Sequence, residues 1–421
     1  MKMKDSGIEW IGEIPEDWNV IRFKDKYRNV KEIAGEKSSE YERLALTLNG
    51  VIKRQKDDSE GLQPKEFDGY QILRDNDFIF KMIDLQNIST SRVGLSPYTG
   101  LVSPAYIRFS AKNKNEYTKY TYYYLMSMYY NCVFNSLGGD GVRSALNASD
   151  MGNLKIPVPP LETQQKIVAA IEAKTTKIDA LVSNEERQIE KLKAYKQALI
   201  TETVTKGLDK TAKMKDSGVE WIGEIPEEWK LIQLSSLFYQ HKEKNVGLKN
   251  DNLLSLSYGK IKQKDITTTD GLLPESFEGY NIISFGDIVL RLTDLQNDHK
   301  SLRVGHSEQE GIVTSAYVTI RKRNNNLNTK YFYYLLHTFD VKKGFYGMGS
   351  GVRQGLNFEE LKKLILCYPD ICEQESIVKY LDSKCTQIDN LISLKESKIE
   401  KLNAYKKSLI YEYVTGKREI K

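Results

Sequence analysis

The 421-residue chain has only 4 cysteines and 4 histidines. Cys132, Cys367, Cys372 and Cys385 form no CxxC pair, which excludes a zinc ribbon or a disulfide framework and leaves packing residues for a reducing cytoplasm. His241, His299, His306 and His337 lack metal-ligand spacing and all lie in the second half, so chemistry built on them would be missing from the first. No stretch approaches the ~18 apolar residues of a membrane-spanning helix. The opening MKMKDSGIEWIGEIPEDW carries no apolar run of the kind a secretory signal needs. A cytoplasmic protein with no membrane partner is expected. Charge of one sign is scarce as well: 62 Lys and Arg against 57 Asp and Glu leave a net +5, so any nucleic-acid-facing charge must be local. Catalytic signatures are also missing. There is no Asn/Asp-Pro-Pro-Tyr/Phe pocket for a flipped adenine and no G-x-x-x-x-G-K-S/T loop for nucleotide phosphates. The glycine clusters at 138–141 and 347–351 follow no strand–GxGxxG–helix pattern. No cofactor, metal or catalytic residue is expected in this chain. Tyrosine, by contrast, is frequent, 26 against 13 Phe; it suits wet interfaces and packed sheets equally.

What the chain does have is a duplication. MKDSGIEWIGEIPEDW at 3–18 returns as MKDSGVEWIGEIPEEW at 214–229. The echo runs on through DLQN and DLQN, SRVG and LRVG, SPAY and TSAY, TKYTYYYL and TKYFYYLL, GVRSALN and GVRQGLN, IEKLKAYKQALI and IEKLNAYKKSLI. The offset stays near 210 residues, too long for a solenoid period; one domain plus one long helix is repeated once. The openings and helices are nearly copied, while 19–156 and 230–366 keep scattered matches. A retained frame with diverged inserts suits two targets read by one scaffold.

Within a half, LALTLNG, YQILRDNDFIFKM and LVSPAYIRFS read as short strands between turn residues, and 118–131 reads as a helix. KIPVPP is a short strand stopped by prolines. The fold class is α/β (α+β). From about 161 to 203 the spacing predicts one long helix, with a narrow heptad-like stripe at Ile171, Ile178, Val182, Ile189, Leu192, Tyr195 and Leu199. Ile388, Ile392, Ile399, Leu402, Tyr405 and Leu409 repeat it. A single narrow stripe needs a partner helix, and an antiparallel coiled coil between the two copies supplies one. A homodimeric coil or solitary surface helix is the alternative. The expected order is recognition domain 1–160, helix 161–205, linker and recognition domain 206–370, helix 371–415 and tail 416–421. A ~40-residue helix is about 60 Å long, a span on the order of a dozen or more DNA base pairs.

The repeat order, the GEIPEDW opening, the P-x-PPL-x-x-Q passage and the helix end LKAYKQALITETVT together resemble the HsdS family, the specificity subunits of type I restriction–modification systems. The resemblance covers essentially the whole chain. The family's Glu-Gln at the helix start stands here as Glu373-Gln374 but as Thr163-Gln164 in the first half. The resemblance implies two pseudo-two-fold related target-recognition domains on a coiled coil, each reading half of an interrupted site in double-stranded DNA. It implies two methylation subunits that transfer a methyl group from S-adenosylmethionine to adenine N6, and restriction subunits that cleave. The rival reading is a single-chain methyltransferase or nuclease, which needs the missing motifs and would bind S-adenosylmethionine alone.

Four places in each half combine polarity with turn chemistry. Lys53-Arg54-Gln55-Lys56, matched by Lys260, Lys262, Gln263 and Lys264, offer guanine, adenine or phosphate contacts, or a solvated hairpin tip. Asp84 and Gln86 are repeated as Asp294 and Gln296, base readers or a local Asx-turn, with Arg92 and Arg303 following in the SRVG and LRVG stretches. Ser103 and Tyr106 are matched by Ser315 and Tyr317, where the tyrosine suits a core equally. Arg143 and Arg353 sit in glycine-rich loops where backbone can approach phosphate closely. Replacing either by Ala should weaken DNA binding and shallow its salt dependence by about one phosphate contact. A folded variant with unchanged affinity and salt slope would remove that loop from the interface.

Overall fold

The computed structural model describes residues 2–48, 50–56, 66–85, 92–137, 145–266, 274, 276–295, 302–348 and 355–420. It divides into two compact units, residues 1–186 with 396–421, and residues 187–395. No described helix is long and apolar enough to cross a membrane.

In the first unit a four-stranded antiparallel sheet runs in the order Tyr27–Asn29, Ile107–Ala111, Phe78–Phe80, Val93–Leu95. A second sheet runs Gly50–Arg54, Arg43–Thr47, Gly100–Val102, Gln71–Leu73, with one parallel contact between Leu101 and Arg43. YQILRDNDFIFKM is therefore two strands, because the chain changes sheet at Arg74–Asp77. Asn76 takes a left-handed φ of 62° there, and the Asp77 carboxylate accepts from the Arg74 amide at 2.9 Å. LVSPAYIRFS changes sheet likewise at Ser103–Tyr106. The buried Arg108–Asp77 pair, Nε to Oδ2 at 2.6 Å, ties these two corners together, and Arg321–Asp287 at 2.8 Å does so in the second unit.

Helix Thr118–Tyr130 packs its Tyr120, Tyr124, Leu125 and Met128 into the core with Phe78, Phe80 and Phe109. Edge-to-face rings fill the interior, Phe23 on Phe109 with centroids 5.0 Å apart and Tyr27 on Phe78 at 5.0 Å, a geometry the ring quadrupoles favour. In the second unit the antiparallel sheet recurs as Phe238–His241, Val318–Lys322, Ile288–Leu290, Val304–His306, under helix Thr329–Val341. Its hairpin Leu254–Ser257/Lys260–Gln263 and its pair Asn281–Ile283/Gly311–Val313 match the second sheet, and a parallel bridge joins Leu253 to Ile312.

The last strand of the α/β portion of each half pairs with the strand that follows its opening hairpin: Lys155–Val158 with Asn19–Arg22, and Ile365–Tyr368 with Lys230–Gln233. Each domain is thus closed before a long helix begins, Leu161–Lys206 of 46 residues and Ile371–Val414 of 44. Gln164 and Gln374 start these helices in the same way, each donating its side-chain amide to a proline carbonyl, Pro159 and Pro369, at 2.9 Å. The Thr163/Glu373 difference has its own consequence: Glu373 accepts from Trp229 Nε1 at 2.7 Å.

Within each unit the helical segments pack antiparallel. In the first, Lys406 pairs with Asp179 at 2.6 Å and Lys398 with Glu185 at 2.6 Å. In the second, Lys196 pairs with Asp389 at 2.7 Å and Lys395 donates to Gln188 at 2.5 Å. Residue numbers rise along one helix as they fall along the other. Ile178, Ile189, Ile388 and Leu409 are buried, and Val182, Leu192, Leu199, Ile392, Ile399 and Leu402 are half-buried. Tyr195 and Tyr405 correct the expected stripe. They are about half exposed, and the neighbouring Lys196 and Lys406 turn inward to their aspartates instead.

Each long helix also docks its end onto the α/β portion of a unit. The Tyr331 hydroxyl donates to the Val204 carbonyl at 3.0 Å, and Tyr120 donates to Val414 at 2.9 Å. Gly416, with φ +70°, stops its helix against Pro15 and Trp18; a Cβ there would fall 2.3 Å from Pro15 Cδ.

Candidate nucleic-acid interface

The residues expected at a turn lie instead on the second strand of a hairpin and just past it, Gly50–Arg54 in the first unit and Lys260–Gln263 in the second, and the two hairpins differ in what their cations do. In the first, Lys53 is exposed, pairs with Glu42 at 2.5 Å and lies over the Tyr98 ring at 5.2 Å. Lys56 donates to the Ser38 carbonyl at 2.8 Å; Arg54 is half-buried and Gln55 exposed. In the second, Lys260, Lys262, Gln263 and Lys264 are all exposed, and the three lysines make no ion pair among the described residues. Alternation along the strand explains it. Leu254, Leu256 and Ile261 point inward, so Ser255, Ser257, Lys260 and Lys262 share the outer face.

The two Asp-Leu turns are near copies. Asp84 and Asp294 both take left-handed φ, 55° and 56°, while Leu85 and Leu295 are fully buried beneath them. Asp tolerates this region better than most residues, in keeping with a local turn role. Arg92 and Arg303 require a correction. They do not reach outward; they are 2% and 0% exposed. Arg92 donates from Nη1 to the carbonyls of Lys81, at 3.2 Å, and Ile83, at 2.6 Å, and from Nη2 to Asp84. Arg303 donates to Arg291 at 3.1 Å, Thr293 at 2.8 Å and Asp294 at 3.3 Å. Each guanidinium clamps the backbone of its Asp-Leu turn, since a planar fork of donors can satisfy several carbonyls at once. Burial lowers the Arg92 pKa from its ordinary value.

Ser103 and Tyr106 sit on a turn held from behind by Gln71, whose amide donates to both of their carbonyls, at 3.0 and 2.7 Å. The Tyr106 ring packs on the cluster of Leu44, Val51, Leu73, Ile79 and Val102, and Tyr317 on that of Leu254, Ile283, Val289 and Val313. Burial raises the pKa of both phenols. Both rings therefore serve packing, while Ser315 is exposed. Gln86, Gln296, Arg143 and Arg353 lie outside the described residues.

The second unit also holds an open cleft of 810 Å³ between its hairpin and its helices, lined by Lys193, Lys196, Lys260, Tyr333, His337 and Asp382 among others. Two imidazoles border it. His306 and His337 replace the Leu95 and Met126 of the first half, and burial drives both pKa values down to about 4. No group of three or more metal-binding side chains occurs among the described residues.

Residues 15–193 and again 226–404 match the family described as the type I restriction modification DNA specificity domain. The chain belongs to that family. It is 25% identical over 428 residues to the type I restriction enzyme MjaVIII specificity subunit of Methanocaldococcus jannaschii, across 97% of this chain and 94% of that one. Among solved structures, a chain from work on complex assembly and conformational transition of the type I R-M system superposes with a TM-score of 0.68 at 13% identity, over 96% of this chain and 99% of the other. The HsdS subunit from Thermoanaerobacter tengcongensis gives 0.48 at 14% identity, over 96% and 98%. The specificity domain thus occurs twice, once per repeat, and each match takes in the first part of a long helix as well as the α/β portion.

Sequence reasoning missed Tyr258, the exposed residue at the tip of the second hairpin. Its signal was available: Tyr-Gly stands where the first half has Asn-Gly.

Proposed function

We propose that the recognition domains, residues 1–160 and 206–370, each read one half of an interrupted site in double-stranded DNA. In this reading 161–205 and 371–415 form the coiled coil, 416–421 is a tail, and methylation and cleavage belong to partner subunits. The carrying observation is one frame used twice with different outer faces. Sheet order, helix-tail docking and the buried arginine clamp recur in both units, while the outward residues of the hairpins differ. A repeated frame presents two readers to two sequences; base contacts then belong where the halves diverge. Lys260, Lys262 and Lys264, exposed and without an ion pair among the described residues, are the first candidates for phosphates, and Gln55 and Gln263 for adenine edges. The test is a map of methylated adenines in cells carrying or lacking the gene. A two-part motif should vanish with the gene, and exchanging residues 19–156 for those of a relative should alter one part only.

The chain alone should show neither methyl transfer nor ATP hydrolysis, because it carries no flipped-adenine pocket motif and no phosphate-cradling loop. Activity should appear on adding methylation subunits. Robust methyl transfer by the purified chain would overturn the assignment of chemistry to partners.

A further inference from the structure

The hairpin of the second recognition domain is closed by two residues, Tyr258 and Gly259, with φ of 47° and 77°. Two positive φ values mark a type I′ turn, whose favoured sequence is Asn-Gly. The first half has that sequence, Asn49-Gly50, in the same context, L-N-G-V-I-K against S-Y-G-K-I-K. The second half puts a bulky aromatic at a position where a side chain beyond Asn or Gly is disfavoured. Packing does not compensate. Tyr258 is 76% exposed, among the most exposed large side chains of the chain. Neither backbone preference nor burial accounts for it, and a backbone outlier of this kind points to use.

Its surroundings say what that use is. Lys260 and Lys262 lie on the outer face of the same hairpin, with Ser255 and Ser257 opposite them across the strands. Leu254 and Leu256 anchor the inner face to the core. The Tyr333 hydroxyl holds the turn by donating to the Gly259 carbonyl at 3.1 Å, so the tip presents an exposed aromatic ring beside two exposed lysines. We infer that Tyr258 is a specificity-determining contact of the second domain: its ring enters a groove of the second half-site while Lys260 and Lys262 take the flanking phosphates. The chemistry fits, since a flat apolar face contacts base edges and thymine methyls and the hydroxyl can bond to an acceptor. This rests on the DNA-reading proposal above. Tyr258 and Lys260 also border the 810 Å³ cleft, so contact with a partner protein is the competing role.

The experiment uses the full-length subunit assembled with its methylation subunits, wild type, Tyr258→Asn and Tyr258→Phe. Tyr258→Asn restores the preferred turn sequence, so its melting temperature should equal or exceed wild type. Its methylated motif should keep one half and relax or lose the other, and affinity for the mapped duplex should fall by about tenfold or more. Affinity for random duplex should change by less than about twofold, since phosphate contacts remain. Tyr258→Phe should keep the motif. An unchanged motif with affinity within about twofold in a stable Tyr258→Asn complex overturns the inference. So does loss of subunit assembly with DNA affinity retained, which would place the ring against protein. A wild-type complex that marks no two-part motif overturns the DNA-reading proposal itself, a failure visible before any variant is made.

Discussion

Replacing Arg303 with methionine is expected to cost about 3–5 kcal/mol of stability in the second unit, by far more than the loss of a surface cation. The guanidinium is fully buried and serves the carbonyls of Arg291, Thr293 and Asp294 together with the Tyr346 hydroxyl. Methionine fills comparable volume but leaves those acceptors without their donor, at about 1–3 kcal/mol for each one left dry. Lysine should rescue only in part, because one ammonium cannot match the fork that faces three carbonyls. Arg92→Met should act alike in the first unit. Urea unfolding of the full chain would read both effects. If either variant kept its stability while DNA binding lost about one phosphate contact of salt dependence, the arginines would return to the interface.

The second unit should also be the acid-labile one. His306 and His337 are held neutral in the folded state with pKa values near 4, against 6.5 for the ordinary group. Above pH 6.5 the side chains are neutral both folded and unfolded, and their contribution is complete. Below 6.5 the unfolded chain takes up protons that the folded chain refuses, so stability falls until the folded pKa near 4 is reached. The limit is about 3 kcal/mol for each histidine. The first unit holds no histidine and should keep its stability until its carboxylates titrate. His306→Leu with His337→Met, the residues of the first half at those places, should flatten the loss between pH 6.5 and 5. Unfolding midpoints measured against pH, with tryptophans Trp10 and Trp18 or Trp221 and Trp229 retained singly as reporters, would decide it. An equal slope in wild type and double variant would show that these imidazoles are solvated.

Much of the architecture could be read directly from the residues. The duplication, the helix at 118–130, the proline stop before each long helix and the apolar stripe all rest on short-range pattern, and local pattern is what periodicity and turn chemistry report. A heptad-spaced Ile178 or Ile388 needs a partner helix whatever the rest of the chain does. The repeat likewise showed one frame used twice, because a second copy of the same pattern folds as the first does.

Tertiary structure decided the fate of the polar residues. Arg92 and Arg303 look like surface cations in sequence. They are buried because the turn eight to twelve residues upstream folds back and offers its carbonyls to them. Tyr195 and Tyr405 fit the heptad spacing yet stay exposed, since the adjacent lysines find aspartates on the other helix. YQILRDNDFIFKM reads as one strand, and only the pairing of its halves with different sheets splits it at Asn76. Sequence by itself determined the elements and their repetition, which depend on neighbours along the chain. Which cations face water, and that Tyr258 stands out at a strained tip, depended on long-range contacts whose partners no local pattern encodes.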